Sequence, residues 1–128
     1  MVQKLTPNQV RHIEEIHQFM RTVDHVKKLV GDLEGSRAAR PVIINNICGA
    51  IARELSQMRQ RALSANVGTL ADTAGGLAVL AARQGSGLNF KVRALAEGVN
   101  SLTIQLDQSL KAASQPEKPK QEPEQKPS

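Results

Sequence analysis

Apolar residues recur along the chain at steps of three and four, the spacing that lines one face of an α-helix. The first run is Val10, Ile13, Ile16, Met20, Val23, Val26, Val30 and Leu33. Its start is marked by Thr6 as a cap, Pro7 at the first helical position and Gln9 closing a Thr-x-x-Gln capping box. Gly31 or Gly35 ends it, and Pro41 opens the next run. A second helix is expected over 42–63, with Ile44, Ile47, Ile51, Leu55, Met58 and Ala62 as its stripe and Cys48 alongside. The stretch SANVGT breaks the pattern, and Ser64, Asn66 and Thr69 are candidate caps. A third helix is expected over 68–84, with Leu70, Ala74, Leu77, Ala78 and Ala81 on one side. The GSG at 85–87 breaks it. A fourth, over 88–112, carries Val92, Leu95, Ala96, Val99, Leu102, Leu106 and Leu110.

Four amphipathic helices with short connections bury their stripes most simply as an antiparallel four-helix bundle, so the fold class expected is all-α. The first two helices look longer than the third, which leaves room for them to extend beyond the bundle and for a homodimer. The bundle takes residues 1–113. Residues 114–128, SQPEKPKQEPEQKPS, hold four prolines and no large apolar side chain. Such a segment cannot offset its ordering entropy by burial, and it reads as a disordered tail.

Composition agrees with this pattern. Aromatic residues make up only 2% of the chain, so the core must be aliphatic. The net charge is +5, and the tail's three lysines and three glutamates cancel, which leaves the excess on the helical body. That excess suits an acidic protein, a nucleic acid or a lipid surface. Cys48 is the single cysteine and has no internal disulfide partner, which fits a reducing compartment. The opening MVQKLTPNQV lacks the apolar run of a signal peptide, and no stretch has the length of a membrane span. A cytoplasmic location is the resulting expectation.

Candidate chemistry is sparse. His12, His17 and His25 lie on the first helix at spacings that do not share one face. Glu14 and His17 form one Glu-x-x-His pair, but a di-iron bundle needs two such pairs and two further glutamates. Cys48 lies between Ile44 and Ile51, a setting for a structural thiol rather than a nucleophile. There is no Walker-type phosphate loop. The expectation is a non-enzymatic chain with no cofactor and no metal.

The stretch Ala71-Asp72-Thr73-Ala74-Gly75-Gly76, followed by Leu77-Ala-Val-Leu-Ala-Ala and the GSG turn, resembles the phosphorylated helix of histidine-phosphotransfer domains. Asp72 stands where that family has its histidine, Gly75 where it has a lysine, and Gly76 matches the glycine that admits a receiver domain. The resemblance implies a four-helix bundle and a protein-docking helix, without phosphorelay through this helix. In an alternative register, DHVKKL puts Lys28 three residues after His25.

Small residues along the third helix let another backbone approach closely. The expected function is therefore a protein-interaction module, an adaptor or regulator, contacting its protein partner through Ala71, Asp72, Gly75, Gly76, Val79 and Arg83. In an antiparallel bundle the first turn and the GSG break share one end. Lys27, Lys28, Arg37, Arg40, Lys91 and Arg93 would then form a basic end beside Arg83. Two other expectations stand beside this one. One is a histidine-phosphotransfer-type signalling protein using His25. The other is a nucleic-acid-associated basic bundle, disfavoured by the lack of stacking aromatics.

Overall fold

Thr6 and Gln9 form the capping box that the sequence predicts. Thr6 Oγ1 accepts from the Gln9 backbone N–H at 3.1 Å, and Gln9 Oε1 accepts from the Thr6 N–H at 2.9 Å. The helix that follows is the first of four in the computed structural model, which describes residues 5–36, 38–83 and 87–115. They are α1 (Pro7–Gly35), α2 (Pro41–Ser64), α3 (Gly68–Ala82) and α4 (Leu88–Ala113). Each start and end lies within two residues of its expected position, with Gly35 rather than Gly31 closing α1. The expected disordered tail, apart from Ser114 and Gln115, lies outside the described residues.

The helices pack as a closed ring: α1 on α2, α2 on α3, α3 on α4 and α4 on α1. The diagonal pairs, α1 with α3 and α2 with α4, make no close backbone approach among the described residues, and their side chains meet in the shared core. With short connections this is an antiparallel up-down-up-down bundle. Its base is tied by Gln9 Nε2, which donates to the Gln115 carbonyl at 2.6 Å.

The core is aliphatic, as composition requires, except for one ring. Buried residues in α1 are Ile16, Phe19, Val23, Val26, Val30 and Leu33, and in α4 Val92, Leu95, Val99, Leu102 and Leu106. Both sets alternate steps of three and four without a break, the spacing that keeps a seam facing its neighbours at shallow crossing angles. Phe19 therefore belongs to the α1 seam, beyond the stripe expected from the spacing of aliphatic residues. Val10 and Ala96, both placed on stripes, are exposed because they fall off these alternations. Val10 precedes the seam, and Ala96 lies one step past Leu95. In α2 the buried set is Cys48, Ile51, Leu55, Met58 and Ala62, while Ile44 and Ile47 of the expected stripe are only partly buried against it, near the end that passes beyond α3.

The α2–α3 connection is a helix stop built on Asn66. Its φ of 62° is the left-handed conformation, rare for a residue with a side chain. Val67 N–H donates to the Ala62 carbonyl at 2.8 Å, and Asn66 N–H donates to that of Leu63 at 3.2 Å. This is the Schellman pattern, which satisfies two carbonyls at the end of α2. Asn66 thus terminates α2 and does not cap α3. The residue before α3 is Val67, with no side-chain cap.

Length differences shape the molecule. α3 has 15 residues and α2 has 24. Folded back through residues 65–67, α3 runs along the C-terminal part of α2 and stops. At equal rise per residue, roughly nine residues at the start of α2 continue past it. The α3–α4 contact is close at one point. A Cβ on Gly98 would lie 2.8 Å from Leu77 Cδ1 and 2.9 Å from its Cγ, so only glycine fits there. A polar link sits lower on the same pair. Gln105 Nε2 donates to Thr73 Oγ1 at 3.0 Å, and that hydroxyl donates to the Thr69 carbonyl at 3.1 Å.

Candidate functional site

The third helix has one face that the bundle does not use. Leu70, Ala71, Ala74, Leu77, Ala78 and Ala81 are buried. Ala71 is thus core rather than contact surface, which corrects its placement with the docking residues. It sits beside Leu70 on a buried face widened by alanines. Asp72, Gly76, Val79 and Arg83 follow one another at steps of four, three and four, and all are exposed. That spacing stacks them in one outward row. Val79 is 60% exposed, a large aliphatic side chain that the bundle leaves in water.

The two glycines of this helix differ. A Cβ on Gly76 would meet nothing within 4 Å. Its backbone is open, with no packing reason for glycine. Gly75 is turned toward α2. A Cβ there would lie 2.9 Å from Arg59 Cδ and 3.1 Å from its Nε. Gly75 therefore makes room for the Arg59 side chain to lie against α3.

One of the cations expected at the basic end has another task. Lys91 is only 9% exposed. Its Nζ donates to the Arg83 carbonyl at 2.7 Å and to the Ala81 carbonyl at 3.4 Å. These are the last carbonyls of α3, where a cation is also favoured by the helix dipole. Lys91 is thus a helix cap reaching across from α4 and presents no free ammonium to a partner. Lys27, Lys28, Arg40, Arg83 and Arg93 are exposed at this end. Arg37 lies outside the described residues. Counted along each helix from its own end on this side, the nearest eight residues hold the acids Asp32 and Glu34, and Glu54 follows against His25, two residues from Lys27. Elsewhere among the described residues, acids slightly outnumber cations: Glu14, Glu15, Asp24, Glu54, Asp72, Glu97 and Asp107 against Arg11, Arg21, Arg53, Arg59, Arg61 and Lys111. The positive excess is localised.

The histidines remain apart. His12 Nδ1 lies 3.5 Å from Glu15 Oε1. His25 Nε2 lies 4.0 Å from Glu54 Oε2 of α2, with the imidazole side chain 54% exposed. His17 and Glu14 are exposed and gather no further ligand. Among the described residues no three His, Cys, Asp or Glu side chains are grouped to hold a metal ion. Cys48 is buried against the core, a free thiol. No helix is long and apolar enough to cross a membrane among the described residues.

Two features were not found from the sequence. Gly98 has no local signal, because its reason lies in Leu77 of another helix. The capping role of Lys91 likewise depends on the register of α4 against α3. Comparison with known family models, curated proteins and solved structures finds no significant match to this chain.

Proposed function

We propose that this protein is an interaction module, an adaptor or regulator, that docks a protein partner on the outward row of α3. The observation that carries this reading is the pairing of Gly76 and Val79. An open glycine backbone lies one turn from a large exposed aliphatic side chain. A glycine inside a helix costs about 1 kcal/mol relative to alanine, and nothing inside the bundle requires it at position 76. A partner helix brought close by Gly76 would bury Val79, with Asp72 and Arg83 fixing its register by charge. Gly76→Leu combined with Val79→Glu is expected to retain the helical spectrum and to abolish partner retention in an affinity isolation. Val10→Glu, at the far end, is expected to keep it. An unchanged partner set in the double variant would contradict the proposal.

His25 supports a second reading, as a phosphoacceptor. Its imidazole is exposed, and Lys28 follows on the same helix. Incubation with acetyl phosphate or a phosphorylated receiver domain is then expected to label the protein, and His25→Ala to remove the label.

A further inference from the structure

The end of the bundle that carries the α1–α2 and α3–α4 connections joins two properties. It holds the localised positive charge, and it exposes large apolar side chains. Val42 and Ile43, in the first turn of α2, are 59% and 44% exposed, and Phe90, in the first turn of α4, is 60% exposed. The cause is the short α3, which stops beside the middle of α2 and leaves the start of α2 without a neighbour on that side. α2 and α4 occupy diagonal corners of the ring, and their backbones make no close approach among the described residues. The apolar groups therefore stand on two helices that are not neighbours in the ring. A partner that covers both must be broad.

We propose that this end docks on an anionic lipid bilayer, with Val42, Ile43 and Phe90 entering the interface and Arg40, Arg83 and Arg93 beside them on the phosphates. A bilayer surface is laterally unlimited and deformable, and it rewards apolar burial and positive charge together. The alternatives each waste one property. Duplex nucleic acid would use the cations and leave Phe90 and Ile43 in water. A second copy joined end to end would set the same positive charge against itself. The contact is peripheral, since no described helix is long and apolar enough to span.

Sedimentation of the full chain with phosphatidylcholine vesicles, with and without phosphatidylglycerol, tests this. The protein is expected to bind only the anionic vesicles and to be released by salt. Ile43→Ser with Phe90→Ser is expected to weaken binding about tenfold by removing two interfacial apolar groups. Arg40→Glu with Arg93→Glu is expected to abolish it. Ile104→Ser, an exposed apolar residue elsewhere, and Gly76→Leu, on the α3 row, are expected to leave it unchanged. The proposal is overturned by no binding at low ionic strength, or by equal binding of the Ile43/Phe90 variant. Stronger retention on duplex DNA or on an acidic polypeptide than on anionic vesicles would also overturn it.

Discussion

At the scale of single residues, two positions hold the helix ends and can be tested by stability. Lys91 is the one described cation drawn into the bundle, and it satisfies the Ala81 and Arg83 carbonyls from a neighbouring helix. Lys91→Met keeps most of the apolar stem but leaves these acceptors without a charged donor. A loss of about 1–2 kcal/mol in urea unfolding is expected, near the low end for hydrogen bonds to charged groups. Asn66 holds a left-handed conformation that costs an ordinary residue about 1–2 kcal/mol. Asn66→Ala is expected to destabilise by about 1 kcal/mol, while Asn66→Gly leaves stability equal or higher. Equal stability of the alanine and glycine variants would remove Asn66 from this role.

At the scale of elements, the three glycines at contacts or surfaces separate by what surrounds them. Gly98 is fixed by Leu77, and Gly98→Ala is expected to cost about 1–3 kcal/mol by overpacking. The loss should shrink when Leu77 is also shortened, because the two are in direct contact. Gly76→Ala is expected to raise the thermal midpoint instead, with a gain approaching about 1 kcal/mol, since its site is open. Gly75 is intermediate, because the atom in its way belongs to the flexible Arg59 side chain. The helices themselves were legible in the sequence. Capping at Thr6, the breaks after Gly35 and Ser64, and the period of the stripes depend on neighbours a few residues away. What was not legible depends on contacts between helices. Phe19 rather than Val10 belongs to the buried seam, Ala71 faces inward, and Lys91 turns from surface charge to cap. Each outcome follows from register across the ring, which no local pattern encodes.

At the scale of the molecule, a short α3 in a ring of longer helices gives the bundle two unlike surfaces. One is the outward row of α3, where Gly76 and Val79 meet Asp72 and Arg83. The other is the basic end, where the overhang of α2 and the start of α4 expose Val42, Ile43 and Phe90. Arg83 belongs to both, at the C-terminus of α3. Of the residues that sequence spacing assigns to the α3 surface, Asp72, Gly76, Val79 and Arg83 are exposed, whereas Ala71 is buried and Gly75 faces Arg59 of α2. The apolar component of the basic end escaped it, because exposure there follows from the length of a different helix.

Whether α3 presents the contact surface to a protein partner is read most directly by site-specific photo-crosslinking. A photoreactive residue is placed at position 79, and at 10 and 104 as exposed controls on α1 and α4. One covalent partner adduct is expected from position 79 that Gly76→Leu removes, with none from positions 10 and 104. Adducts from the controls with none from position 79, or an adduct at 79 that survives Gly76→Leu, would contradict it.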